Sequence, residues 1–450
     1  MHSLPQIRNP THRAYSRLFV PIRAQPGNNR ASPALDCVFH SLIRVSWFPG
    51  IAGRLDSAAF CLIVCHDVLL LPAMNSPGTP PKPAPTSAEV ASPYAVLQNR
   101  NFKLYLLGRF IASMGQQMLT VAVGWELYER THSALNLGYV GLCNMIPMFL
   151  CTLPAGHVAD NHNRKHIMLW MTGLMALTSA GLVVASACGA PTAWIYACLV
   201  VAGTARTFLW PASSSFLPQL VPRELFPRAV AWNSGSFQLS SVAGPALGGA
   251  LIALTRHAAT VYALNAAAAL VCLVLLSLVH YNRLPSKREP MTVRTLAAGF
   301  RFVFDTRIIL GTITLDMFAV LLGGATALLP VYAKDILRAG PTGLGLLQTA
   351  MPLGGVLCTF ILSHRPPMQK AGRALLWAVA GFGLATVGFG FSKWFWLSFL
   401  MLFACGSMDN ISVVVRHTLV QLLTPDEKRG RVSAVNNLFI GTSNELGGFE

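Results

Sequence analysis

Charge is scarce in this sequence. Only 11% of its 450 residues are charged, with 17 acidic side chains against 34 basic ones. A water-soluble domain of this size carries about twice that share. Catalytic signatures are missing too. There is no GxxxxGK[ST] phosphate loop, no HExxH and no GxSxG, so an ATP-driven pump or a membrane hydrolase has no support and no enzyme is expected. The ten cysteines form no CxxC pair. Most of them, such as Cys143, Cys151, Cys198, Cys272, Cys358 and Cys405, fall inside apolar runs and read as small core residues. The short cluster Cys61, Cys65, His66 and Asp67 lacks a second ligand pair, so neither a metal nor another cofactor is expected.

What the chain has in quantity is apolar length. Hydrophobic residues make up 53% of it and the mean hydropathy is +0.50. A spanning helix needs roughly 20 mostly apolar residues to cross a hydrocarbon core about 30 Å thick. Such runs recur from Phe102 onward, near 104–126, 137–157, 167–188, 193–217, 230–254, 259–281, 308–332, 343–363, 373–391 and 394–420. Another begins near Ser433. The expected fold is therefore all-α and embedded in a lipid bilayer.

The net charge of +17 invites a nucleic-acid partner, but its placement argues otherwise. Basic residues crowd every second connection, as at Arg100, Lys103, Arg164, Lys165, Arg223, Arg228, Lys287, Arg288, Lys370, Arg373, Lys428 and Arg429. The alternate connections hold only Arg130, Arg256, Lys334, Arg338 and Lys393. This is the positive-inside pattern, which predicts a multi-pass plasma-membrane protein with a cytoplasmic N-terminus and no nucleic-acid partner.

The two ends stand apart from this pattern. Residues 1–73 are rich in Arg, Pro and Ser, and their apolar run 60–73 is interrupted by His66 and Asp67. Met74 then opens a Pro-rich stretch. Residues 1–95 are expected to be a disordered or non-native extension, with Met74 as the natural start. The chain stops at Glu450 inside what reads as a new helix, so truncation is expected.

An internal repeat organises the rest. Leu220-Val221-Pro222-Arg223-Glu224, then Arg228 and Ala231-Trp232-Asn233, match Leu423-Thr424-Pro425-Asp426-Glu427, then Arg431 and Ala434-Val435-Asn436. Likewise Met145-Ile146-Pro147 matches Ala350-Met351-Pro352. The expected organisation is a six-helix bundle over 96–281, a basic linker over 282–307 and an incomplete second bundle over 308–450. In such parallel repeats the substrate is handled near the midplane, between the halves.

Two motifs carry a family resemblance. Gly156-His157-Val158-Ala159-Asp160-Asn161-His162-Asn163-Arg164-Lys165 resembles the G-x-x-x-D-x-x-x-R-K loop of the major facilitator superfamily. Gly235 followed by Gly244-Pro245-Ala246-Leu247-Gly248-Gly249 is similar to the superfamily's antiporter motif. Leu296–Phe302 and the stretch from Pro211 to Pro222 resemble the enterobactin-exporter-like branch. The resemblance covers about Phe102 to Glu450. It implies a major-facilitator-type bundle of two six-helix repeats, the second truncated after about ten to eleven spans. It also implies that Asp160, with Gly156, Arg164 and Lys165, forms a gating latch, and that the Gly-Pro element seals one side of an exporter's cavity.

From the residues alone, Asp160 can also simply cap the third span, and the glycines can serve any close helix contact. Ionisable groups inside spans are costly and so are functional candidates. Arg206 and Asp409 occupy matching repeat positions with opposite charge; if the two spans face each other, they are expected to form either a contact across the cavity that opens, closes or titrates, or a static buried ion pair that fixes the interface. Asp316, mid-way along the seventh span, is a further candidate for proton coupling. Arg109, Glu126 and Arg416 are expected to snorkel to the interface, and Trp125, Trp194, Trp394 and Trp396 to form an aromatic belt. The expected function is proton-coupled export of a small amphipathic, siderophore- or drug-like molecule by a monomer working through alternating access. The rivals are an importer of the same fold and a non-transporting membrane sensor or scaffold.

Overall fold

The computed structural model describes residues 94–280, 301–322, 325–364 and 371–424, with separate positions between 432 and 447. Residues 1–93, the centre of the expected linker, and the Cys61–Asp67 cluster lie outside the described residues. Every described element is helical. The six helices of the first half are α1 (Arg100–Thr131), α2 (Ala134–Asn161), α3 (Arg164–Ala187), α4 (Thr192–Phe216), α5 (Phe226–Thr255) and α6 (Ala258–Ser277). The second half holds α7 (Arg307–Leu322), α8 (Gly340–Ser363), α9 (Ala371–Phe391) and α10 (Phe395–Leu423), and positions 439–444 are helical as well.

Nine described helical stretches are long and apolar enough to cross a membrane. α1 is long enough at 32 residues but not among the nine. Its apolar run is broken by Arg109, Gln116 and Gln117, and the two glutamines line a cavity rather than lipid. Elsewhere large apolar side chains face outward all round the bundle, such as Leu254 and Phe391, each more than four-fifths exposed. Only a bilayer makes such a surface favourable.

Local chemistry sets the helix ends. Asn99 and Asn163 turn a side-chain oxygen onto first-turn amides, accepting from Phe102 N at 3.2 Å and Lys165 N at 3.0 Å. The expected cap of α3 by Asp160 is thus replaced, because α2 runs on to Asn161 and carries Asp160 in its last turn. At the other face of the bundle, His132 and Arg256 take left-handed backbone and end α1 and α5 in turns of two residues, which makes α1–α2 and α5–α6 antiparallel neighbours. The repeat survives in detail. Pro147 and Pro352 each sit inside their helix, α2 and α8.

The seventh span is not one continuous helix. After Leu322 it resumes as a tight turn over Ala325–Leu328, a short helical piece Leu329–Val331 and a widened turn Tyr332–Ile336. Irregular backbone at membrane depth is tolerated where it lines a cavity, as Thr326, Ala327, Leu329 and Pro330 do here.

Within the first half α1 packs on α5 and α6, α3 on α4 and α6, and α2 on α4; in the second, α10 packs on α7, α8 and α9. The main junction between halves is α5 against α8. One end of the bundle carries Arg100, Lys103, Arg164, Lys165 and Arg223, and is called here the basic face; the other is the far face. A continuous apolar cluster toward the far face joins both halves, including Leu119, Val123 and Tyr262 of the first and Leu344, Leu347 and Leu402 of the second. The clusters nearer the basic face belong to one half each, around Phe102, Met168 and Phe216 in the first and around Val303, Ile309 and Val420 in the second. Trp194, Trp394 and Trp396 stand exposed at the far face, whereas Trp125 packs on the core. A second exposed set, Trp170, Trp210 and Trp377, rings the basic end.

Candidate functional site

The centre of the molecule holds a cavity of about 430 Å³ between the halves. α1 contributes Gln116, Gln117 and Thr120, α2 Asn144, α4 Arg206, α5 Ser241 and Pro245, and α8 Gln348 and Met351. Gln117 Nε2 donates to Ser241 Oγ at 2.9 Å, which ties α1 to α5 at the cavity wall.

The antiporter-type element forms that wall, with its small residues divided between two faces. A Cβ on Gly248 would stand 3.0 Å from Met118 Cα, and one on Gly244 would meet Gln117 Cβ at 2.5 Å, so these two let α1 in. Gly249 faces the other half. A Cβ there would be 3.0 Å from Gly345 Cα, and a Cβ on Gly345 would press on Pro245 O and stand 3.1 Å from Gly249 Cα. Two backbones therefore touch at the junction, and Thr349 Oγ1 donates to Val242 O at 2.9 Å beside them. Pro245 has no amide hydrogen to leave unpaired in this crowded stretch. Gly235 meets nothing within 4 Å and takes no part in the seam.

At the far face the halves are also joined by polar contacts. Glu129 and Lys334 form an ion pair at 2.8 Å, the Lys334 ammonium stands 5.7 Å from the Tyr128 ring centroid, and the Tyr128 hydroxyl donates to Asp335. Sequence reasoning placed Lys334 merely in a loop. The overlooked signal is that Glu129 and Lys334 lie 205 residues apart, within the spacing of the repeat.

At the basic face the G-x-x-x-D-x-x-x-R-K segment is a helix end and a cap. Gly156 and Asp160 belong to α2, Arg164 is buried at the start of α3, and Lys165 Nζ donates to Ser277 O at 2.8 Å and Val279 O at 2.7 Å. The ammonium thus closes the carbonyl end of α6.

Arg206 and Asp409 are not brought together. Arg206 opens on the central cavity, whereas Asp409 lines a separate small cavity inside the second half with Asp316 and Ser412. That cavity, about 10 Å³, is the size of a single water site. Asp316 is buried and forms an ion pair with Arg416, and Ser412 Oγ donates to its Oδ1 at 3.0 Å. Arg416 therefore does not snorkel: at 2% exposure it is among the most buried side chains of the protein. Glu126 is likewise buried, paired with Arg130 at 2.5 Å, while Arg130 donates to Ala190 O at 2.9 Å and Ser186 O at 3.2 Å. No group of three metal-ligating side chains exists among the described residues.

Against known families, residues 91–449 match the model of the transmembrane secretion effectors. The chain belongs to that family. Among curated relatives, the enterobactin exporter EntS of Citrobacter koseri is 29% identical over 336 residues, 74% of this chain and 80% of the relative. EntS of Escherichia coli O81 is 28% identical with the same coverage. The fold is also that of solved transporters. A bacterial homologue of the lysosomal transporter Spinster superposes with a TM-score of 0.60 at 15% identity, covering 78% of this chain and 80% of that one. A bacterial homologue of ferroportin gives 0.58 at 19% identity, covering 78% and 92%. The protein is thus a multi-pass membrane transporter of the major facilitator superfamily, in its enterobactin-exporter-like branch, and not an enzyme.

Proposed function

We propose that this protein exports a small amphipathic molecule, siderophore- or drug-like, from the cytoplasm by proton antiport and alternating access, as a monomer in the bacterial inner membrane. Its basic face is then cytoplasmic. The observation that carries the reading is the backbone seam of Gly249 on Gly345 beside the central cavity. A seam of this kind holds the far side shut while the cavity lies between the halves. The apolar cluster shared by both halves toward the same face supports it, as do the Glu129–Lys334 and Tyr128–Asp335 contacts. In this reading the Gly156–Lys165 segment and Asp160 gate the basic face, and Asp316 and Asp409 carry the proton around their shared water-sized cavity. A proton reaching Asp316 weakens its bond to Arg416, which changes how α7 sits on α10.

The test is enterobactin uptake into inverted vesicles with an imposed proton gradient, using the wild type, Asp316→Asn and Asp409→Asn. Gradient-driven uptake that disappears in either variant is expected. Unchanged coupling in both removes these carboxylates from the mechanism, and transport driven only in the opposite direction makes the protein an importer.

A further inference from the structure

Carboxamides gather in the central cavity. Gln116 and Gln117 come from α1, Asn144 from α2, Gln348 from α8 and Asn444 from beyond α10, and all line one space of about 430 Å³, which suits a drug-sized ligand. Two of them are already engaged: Gln117 Nε2 donates to Ser241 Oγ at 2.9 Å, and Asn144 Nδ2 donates to Val140 O at 3.1 Å within its own helix. Gln116 and Gln348 differ. Their side chains form no hydrogen bond with another described residue, and they belong to opposite halves of the protein. Arg206 shares this wall with an interaction of its own. A carboxamide carries a donor and an acceptor, and leaving both unpaired once a ligand has displaced the water is costly. A secondary amide points its N–H and its C=O in opposite directions, so two carboxamides, one from each half, can serve one each.

We propose that this cavity selects amide-bearing, peptide-like amphiphiles, with Gln116 and Gln348 as the residues that set the specificity. One carboxamide accepts from the ligand's N–H and the other donates to its C=O, while the apolar wall, including Leu119, Val123 and Leu347, takes the hydrocarbon or aromatic part. An ester of the same shape is disfavoured, because it has no N–H and leaves a carboxamide oxygen unpaired. The inference rests on the transport reading and deepens it by naming the ligand's chemistry, but it depends neither on the direction of flux nor on proton coupling.

Two uncharged fluorescent probes of closely similar shape, the N-propylamide and the propyl ester of 7-methoxycoumarin-4-acetic acid, make the test. Binding to the full chain in lipid nanodiscs is followed by fluorescence anisotropy, with no gradient present and with the signal of empty nanodiscs subtracted. The wild type is expected to bind the amide about fivefold to tenfold more tightly than the ester. The double variant Gln116→Met with Gln348→Met, which keeps the side-chain length and removes both carboxamides, should bring that ratio to about one by weakening the amide alone. Equal wild-type affinities, a preference for the ester, saturable binding of neither probe, or an undiminished ratio in the double variant overturns the proposal. The wild-type comparison stands even if the double variant fails to fold. Because binding is read without flux, a failed vesicle experiment and a failed amide preference are separate results.

Discussion

Glu129 and Lys334 occupy positions 205 residues apart and bond each other at 2.8 Å between the two halves of the protein. Residues at the repeat spacing that sit near the axis between halves face each other. Identical charged residues at these two positions would repel, whereas the acid and the base found there attract.

Reversing either charge of that pair should therefore hinder closure, and reversing both should restore it. Glu129→Lys or Lys334→Glu is expected to shift the open-to-closed ratio by up to about fivefold, since half-exposed ion pairs contribute about 1 kcal/mol at most. The double exchange should return it toward the wild type. Labelling of a cysteine introduced at Thr120, which lines the cavity, in a chain whose ten native cysteines are replaced by serine, measures the ratio from each side of the membrane.

Arg416→Ala leaves the Asp316 carboxylate buried without its cation. A loss of about 3–5 kcal/mol is expected, whereas replacing both partners by apolar residues, Asp316→Leu with Arg416→Met, should recover much of it. Thermal unfolding in detergent compares the three. An Arg416→Ala protein as stable as the wild type would show that the pair does not hold α7 to α10.

The glycine seam predicts unequal effects within one motif. Gly249→Ala should reduce transport strongly, because its methyl would enter the Gly345 and Pro341 backbones, while Gly235→Ala should be silent because nothing stands within 4 Å. Initial rates in vesicles at matched protein levels distinguish the two.

Lys165→Ala removes two charge-assisted bonds to the end of α6, at Ser277 O and Val279 O. A destabilisation of about 1–3 kcal/mol is expected. Because the effect is on the fold, it should appear in thermal unfolding and not only in flux.

The helices were readable because apolar length is a one-dimensional property: the 343–363 run became Gly340–Ser363, and 193–217 became Thr192–Phe216. Depth along a helix was readable too, but rotation about it was not. Successive residues point about 100° apart, so a residue's depth does not say which neighbour it meets. Arg416 was placed at the right level near the end of α10, yet its face turns inward to Asp316 instead of out to the headgroups. The same limit separated Arg206 from Asp409, whose shared repeat position says how deep each lies and not which cavity it opens on. The cap of α3 was missed by three residues because α2 winds on through Asp160 and leaves Asn163 to begin the next helix.

A contact made by backbone alone has a mechanical consequence. Where Gly249 meets Gly345 the closest approach is of backbone on backbone, with no side chain of either residue between them. Under the proposed alternating access, halves that rock about such a line roll on it as on a bearing, losing van der Waals contact gradually rather than in steps. In that reading the smallest residues of the seam mark the fulcrum, and the ion pairs and cavity to either side are the arms that the fulcrum serves.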